Sequence, residues 1–240
     1  MVSLTLAAAL AIAVAGGVIR GLTGFGGALI MTPALSIFYD PRIVVPVVLI
    51  MEAFAAAPML RAAWRLARLP VIAPICLAAF ATVPLGSYLL ANAEPEILRR
   101  VIACMVIGFC VLMLAGVRYA GTPRPATSVA LGSLSGVLLG ATGIGGPPII
   151  LYLLAGPDPV QVTRANLTLC VTAISLAALG MYWWRGLPVL GDPAVTPWLC
   201  ICFILGIMLG TAMFRRMGSQ RFRQFALALM IAVAVVTLSV

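Results

Sequence analysis

The chain is a succession of long apolar runs of helical length joined by short polar segments, none long enough to fold on its own outside a bilayer. Such runs leave the backbone few options. In hydrocarbon every N–H and C=O must find a partner within the protein, so only helices or a closed barrel can span. Barrel strands would read as ~10-residue segments of alternating polarity. These runs are continuous and suit spanning helices of ~20 residues. Composition agrees: 63% of residues are hydrophobic, 9% are charged and mean hydropathy is +1.18. A soluble domain carries about a quarter charged residues. The sequence therefore predicts an all-α integral membrane protein.

The net charge of +9 comes from fifteen arginines set against six acids, with no lysine and no histidine. The arginines gather in short joints, where they act as topology signals. Nucleic-acid binding would need a basic face on a soluble fold, so no nucleic acid is expected as a partner. Without histidine the chain lacks the commonest metal ligand and proton shuttle. The six cysteines (Cys76, Cys104, Cys110, Cys170, Cys200 and Cys202) lie in apolar runs with no CxxC pair. They read as buried small hydrophobes. No cofactor and no metal are expected. Ala13-Val14-Ala15 resembles a signal cleavage site, but no basic residue precedes the apolar run, as a signal peptide requires. That run is read as mature protein.

Two near-copies of one glycine motif interrupt the apolar pattern 119 positions apart. They are Gly21-Leu22-Thr23-Gly24-Phe25-Gly26-Gly27 and Gly140-Ala141-Thr142-Gly143-Ile144-Gly145-Gly146. Other features repeat with them. Asp158-Pro159 matches Asp40-Pro41, Met208-Leu209-Gly210 matches Pro84-Leu85-Gly86, and Arg223 matches Arg99. The expected organisation is a first repeat at 1–118, a linker at 119–125 and a second repeat at 126–240. In the first repeat the apolar segments are 3–20, 28–39, 43–60, 70–90 and 97–117, with a basic loop at 61–68. In the second they are 126–139, 147–155, 162–184, 198–214 and a last span to 240, with a basic turn at 215–223.

Arginine counting orients the chain. If each broken segment enters and leaves on one side, the joints around 61–68, 118–124, 164 and 215–223 share a face with ten arginines. The other face then has only Arg42, Arg99, Arg100 and Arg185. If each broken segment crosses once, the split is six to eight. The positive-inside rule prefers the first arrangement, with the ten-arginine face in the cytoplasm and both termini outside. Three crossings per half then turn the second half upside down. The expected fold is two inverted repeats, each a glycine-broken helical hairpin plus three transmembrane helices.

Glycines in a membrane helix need a reason, either close packing or unusual backbone angles. Four within seven residues also leave backbone N–H groups without helical partners, tolerated at membrane depth only inside protein or along a cavity. The short helix after each motif points its N-terminal end, with N–H donors and partial positive charge, at that cavity. Two such ends make an anion site without charged side chains. Thr23 and Thr142 can add hydroxyl donors, and Pro147-Pro148 suit a first helical turn. The competing reading is glycine packing with no ligand. Arg20, before the first motif, either adds positive charge to the cavity or compensates a helix end; its counterpart is Leu139. Glu52 sits mid-span. An intramembrane carboxylate is costly and suggests a coupling site, or else a neutral or paired Glu holding helices together. Its counterpart is Cys170. Asn166 and Thr168 are either polar contacts for a ligand or hydrogen bonds between helices.

The paired G-x-T-G-x-G-G motifs near the start of each half, with about 240 residues in eight hydrophobic segments, resemble the sulfite exporter/anion permease family of the TauE/SafE type. The resemblance covers essentially the whole chain. It implies secondary transport of small anions, with sulfite, sulfonate-derived sulfur compounds and short carboxylates as typical substrates. It also implies inverted repeats with the motifs on the substrate path. Carried over by position, it points to Thr23, Gly24, Gly26, Gly27, Thr142, Gly143, Gly145 and Gly146. The second motif continues Pro147-Pro148 where the first has Ala28-Leu29, so the two sides are not equivalent. Glu52 has no place in the family pattern.

The expected function is a secondary transporter (permease) for a small anion such as sulfite, an organosulfonate or a short carboxylate, working by alternating access. It would lie multi-pass in the cell inner (plasma) membrane. A proton fits Glu52 as coupling ion, and Na⁺ could be held by unwound backbone carbonyls. No ATP-binding loop is present. An intramembrane enzyme is disfavoured by the missing histidine, the lack of an HExxH or acidic cluster, and no serine beside a base. The alternative is a non-transporting membrane subunit of a larger complex.

Overall fold

A computed structural model describes residues 2–23, 26–115, 125–154, 156, 158–214 and 230–238, with the side chains of 2, 3, 23, 154, 160 and 214 excepted. The linker and the basic turn at 215–223 lie outside these residues, apart from Pro125, which opens a helix. The described chain is all helical. Helix α1 is Val2–Thr23, α2 Gly27–Ser36, α3 Pro41–Leu66, α4 Leu69–Asn92 and α5 Pro95–Leu114. Helix α6 is Pro125–Thr142, α7 Gly146–Leu154, α8 Val160–Trp184 and α9 Thr196–Phe214. Residues 230–238 are also helical. Seven of these helices are long and apolar enough to cross a membrane: α1, α3, α4, α5, α6, α8 and α9.

The boundaries follow local chemistry. Prolines stand at the starts of α3, α4, α5, α6 and α9, where the missing N–H costs no hydrogen bond. One expectation is corrected. The basic loop expected at 61–68 is helical as far as Leu66. Arg61-Ala62-Ala63-Trp64-Arg65-Leu66 contains no breaker and is rich in strong helix formers; only Ala67 and Arg68 are left as the joint. The glycine hairpins also gain definition. Helices α1 and α6 have 22 and 18 residues, roughly 33 and 27 Å at 1.5 Å per residue. Helices α2 and α7 have 10 and 9 residues, roughly 15 and 14 Å. Each hairpin is therefore a span-length helix followed by a half-length one.

The described residues group into two compact units. One draws on Met1–Met51, Glu94–Ala115 and Pro188–Val240; the other on Glu52–Ala93 and Gly116–Leu187. Each unit is built around one pair of parallel helices, and each pair takes one helix from either side of the linker: α1 with α9, and α4 with α6.

These pairs touch backbone to backbone. A Cβ on Gly17 would lie 2.2 Å from the Phe203 carbonyl oxygen, and one on Gly210 would lie 2.2 Å from that of Val18. In the other unit a Cβ on Gly136 would lie 2.4 Å from the Ala79 oxygen, and one on Gly86 would lie 2.3 Å from that of Val137. Only glycine lets backbones approach so closely, and membrane helices use small residues to gain dispersion contact that lipid cannot supply. The two seams share one register. A shift of 119 carries Gly17, Val18 and Gly21 to Gly136, Val137 and Gly140. A shift of 124 carries Ala79, Val83 and Gly86 to Phe203, Ile207 and Gly210. Where Gly206 rests on the Val14 oxygen, Thr82 instead donates its hydroxyl to the Ser133 oxygen at 2.8 Å.

Helix α8 completes the second unit against α4, α6 and α7. Its Cys170 Sγ lies 3.2 Å from Cys76 Sγ of α4, both buried. Cys110 is buried too, whereas Cys104 is exposed and Cys200 and Cys202 are half-buried, so the reading of all six as buried holds for only three. All four tryptophans, Trp64, Trp183, Trp184 and Trp198, are exposed. They lie at helix ends, where amphipathic rings favour the headgroup level. Exposed Leu77, Leu85, Leu205 and Met208 within the spans fit a surface that meets hydrocarbon.

The seam sets a contrast that unfolding experiments can read. Gly136→Ala pushes a methyl into the Ala79 backbone, and overpacking of this kind costs about 1–3 kcal/mol. Gly108 of α5 has nothing within 4 Å of its Cβ position, so Gly108→Ala should be neutral or stabilising by up to about 1 kcal/mol. Thermal unfolding in detergent should separate the two variants; equal melting temperatures would mean that α4 and α6 are not tightly seated.

Candidate functional site

The second motif is built as follows. Helix α6 ends at Thr142, and Gly143 turns the chain with φ +72°, a left-handed angle that costs L-residues about 1–2 kcal/mol. The Gly143 N–H donates to the Leu139 oxygen at 2.9 Å. Thr142 Oγ1 donates to the Leu138 oxygen at 2.8 Å and accepts the Ile144 N–H at 3.2 Å. Its hydroxyl is thus committed to the turn. Gly145 sits against α6, where a Cβ would lie 2.4 Å from Leu139 Cβ and 2.6 Å from the Ser135 oxygen. Helix α7 then runs back along α6: Tyr152, near its end, places its hydroxyl 2.7 Å from Ser128 Oγ in the first turn of α6.

Buried Tyr182 of α8 closes the turn. Its hydroxyl lies 2.8 Å from the Gly140 oxygen and 3.1 Å from that of Leu139, two carbonyls at the end of a helix that stops inside the protein. Such groups need a partner when water is absent. Gly146, the first residue of α7, differs from its neighbours. A Cβ there would meet nothing closer than Ile150 Cδ1, at 3.6 Å. The turn therefore uses Gly143 for its angle and Gly145 for packing, while Gly146 begins α7 with only the Ile150 side chain in ordinary contact with its Cβ position. Pro147 and Pro148, both buried, occupy the first turn, as expected.

The first motif is less fully described. Gly24 and Phe25 lie outside the described residues, as does the side chain of Thr23. Arg20 is half-buried in the last turn of α1. Gly26 precedes α2 with φ +93°, and Gly27 is buried. A Cβ on Gly16 would lie 2.4 Å from Met31 Cγ and 3.4 Å from the Gly27 oxygen, so α2 lies against α1. Gly21 and Gly140, the first glycine of each motif, belong to the seams.

The other candidates lie apart. Asn166 of α8 is fully buried. Its Oδ1 accepts the Arg68 N–H at 2.7 Å, and its Nδ2 has no hydrogen-bond partner among the described residues. Arg68 Nη1 in turn pairs with Asp158 Oδ1 at 2.5 Å. Arg68 caps the start of α4, whereas Val83, which faces Gly140, lies fifteen residues further along, roughly 22 Å away. Asn166 and the second glycine turn thus stand at opposite ends of α4. Thr168 donates to the Arg164 oxygen of its own helix. Glu52 is half-buried in α3.

Sequence reading missed Tyr182, masked by Trp183 and Trp184 as one more aromatic at a helix end. It also missed Ser135 and Thr32, fully buried hydroxyls without a hydrogen-bond partner among the described residues, because serine and threonine in helices ordinarily bond their own backbone.

Tyr182→Phe removes a donor from the buried Gly140 carbonyl, while that of Leu139 keeps the Gly143 N–H. Leaving such a group unsatisfied costs about 1–3 kcal/mol, so the variant should unfold at lower temperature in detergent. An unchanged transition would mean the turn needs no such cap.

No curated protein and no solved structure matched the chain. The family model "Sulfite exporter TauE/SafE" matches residues 8–237, a stretch that takes in both glycine hairpins, both seams and every candidate residue. With seven helices of spanning length and two hairpins of matched build, the chain is a multi-pass membrane protein and belongs to the TauE/SafE sulfite exporter family.

Proposed function

We propose that the chain is a secondary transporter that moves a small oxyanion (sulfite, an organosulfonate or a short carboxylate) across the cell inner membrane by alternating access between two inverted repeats. The family is one of membrane sulfite and anion exporters, not of enzymes. The finer reading rests on the second glycine turn. Its carbonyls are satisfied by Tyr182 and Gly143, while α7 begins at Gly146, whose Cβ position meets only the Ile150 side chain, at 3.6 Å. A helix N-terminus favours an anion, and it binds through N–H donors without a fixed cation.

Two observations support inversion. The seams α1·α9 and α4·α6 match residue for residue under the shifts that relate the sequence halves. Helix α7 doubles back along α6, so a hairpin makes no net crossing beyond that of a span and its partial return. The contacts of Arg68 with Asp158 and Asn166 join two of the arginine-rich joints assigned to the cytoplasmic face, in keeping with both termini outside.

In this reading each glycine turn supplies backbone donors of its own: Gly24, Gly26 and Gly27 in the first half, and Gly143, Gly145 and Gly146 in the second. Thr23 stands at the edge of the first turn, where Arg20 supplies charge, and Thr142 at the edge of the second. Asn166 offers its amide nearer the arginine-rich end. Glu52 couples flux to a proton; Na⁺ is the alternative coupling ion.

Purified protein in liposomes should take up sulfite, sulfoacetate or acetate down an imposed gradient. No flux of any of them, under any proton or Na⁺ gradient, would favour the non-transporting subunit instead. Gly146→Val adds a branched side chain at the start of α7, where the nearest neighbour of the Cβ is the end of the Ile150 side chain, so it should fold normally yet lose most flux; full flux would remove Gly146 from the path. Glu52→Gln should abolish proton-driven uptake and keep anion exchange, and equal loss of both would make Glu52 structural.

A further inference from the structure

The two hairpins differ in one respect that the sequence alone cannot repair. Arg20 precedes the first motif, but the matching position in the second is Leu139. The fold brings a different cation to that place. Arg185 ends α8, three residues after Tyr182 and thus on the same side of the helix. Its Nε donates to Ser87 Oγ at 3.1 Å, its Nη2 donates to the Pro84 oxygen at 3.3 Å, and its guanidinium carbon sits 5.4 Å from the centre of the Tyr88 ring. Ser87 is fully buried in α4, and its backbone nitrogen lies 3.0 Å from the Cβ position of Gly140. Tyr182 touches the oxygen of that same Gly140. Arg185 and Tyr182 therefore flank one point, the end of α6 where the glycine turn begins.

We propose that Arg185 is the cationic anion-binding residue of the second half, holding one oxyanion at the α6–α7 turn; this rests on the transport reading above. A guanidinium carries five N–H donors in a planar fork. Here two are used, and no carboxylate pairs with Arg185 among the described residues. Serine, a proline carbonyl and an aromatic face hold the plane in position without neutralising it, which leaves an edge free for two oxygens of one anion. Helix α8 carries this charge to the end away from the Arg68–Asp158 pair, where arginines are few. The ligand class is a planar or pyramidal oxyanion of sulfur or carbon, able to accept two parallel N–H bonds.

A plain capping role, with the cation merely offsetting the C-terminal end of α8, makes different predictions. Sulfite, sulfoacetate and acetate are titrated against detergent-purified protein, and the rise in melting temperature is followed. Arg185→Gln should raise the half-saturating concentration of the preferred anion about 10- to 100-fold, as expected for a lost charged hydrogen bond, with the ligand-free melting temperature little changed. Arg185→Lys should recover only part, because a point charge cannot make the fork. Ser87→Ala, which keeps the charge and loosens its tether, should weaken binding several-fold. An unaltered titration midpoint in Arg185→Gln overturns the proposal, as does full recovery by Lys with a lowered ligand-free melting temperature in Gln. Wild-type protein that shows the anion-dependent shift but no flux overturns transport alone. Wild-type protein with no shift for any of the three overturns both.

Discussion

Everything in this fold hangs on helices that touch through their backbones. Lipid is as apolar as leucine, so hydrophobic burial cannot hold one spanning helix against another; dispersion contact at close range does most of that work. Glycines on both faces of α1·α9 and α4·α6 bring carbonyl oxygens where side chains normally stand. Once α6 is seated on α4 in one register, its end is fixed, and so is the point at which Tyr182 and Ser87 meet Gly140. The position of the turn is a result of the seam.

The turn in its place solves a problem of unmet hydrogen bonds. A helix that stops inside a membrane protein exposes carbonyls at one end, and a helix that starts there exposes N–H groups. At the α6–α7 break the carbonyl side is satisfied from within by Tyr182, by the Gly143 N–H and by the Thr142 hydroxyl on Leu138. On the donor side α7 starts at Gly146, whose Cβ position meets only the Ile150 side chain, at 3.6 Å. In the proposed transport reading, the N–H groups at the start of α7 are what give a site made of neutral residues its preference for negative charge.

Spans and breaks were legible in the sequence because both are written locally, in apolar runs and in glycine pairs. The extension of α3 to Leu66 was not, since a cluster of arginines looks like a loop to a reader counting charge, although Ala62, Ala63 and Leu66 favour helix. The division of labour among the glycines was also hidden. Gly140, Gly143, Gly145 and Gly146 stand in one short motif, yet one packs on a neighbouring helix, one turns the chain, one packs within the hairpin and one starts the next helix. Those roles depend on what lies opposite, and what lies opposite Gly140 is Val83 and Ser87, more than fifty positions away. Arg185 was counted as a topology signal for the same reason: its tethers to Ser87, Pro84 and Tyr88 span about a hundred residues, and no local pattern announces them. Asn166 had the right chemistry, but its height along the bundle is set by the Arg68 N–H.

The exchange of helices between the halves bears on how such a chain is made. Helix α4 emerges before α6, its seam partner, while α1 must wait for α9, nearly the whole length of the protein later. Until then Gly17 and Gly21 offer lipid a bare groove with little side chain to fill it. Contacts so distant in sequence close slowly, because the loop between them must be ordered first. The second compact unit can therefore assemble during synthesis, whereas the first is finished only after α9 has been inserted. Its unpaired first hairpin is, for that interval, the part of the nascent chain most in need of shelter by the insertion machinery.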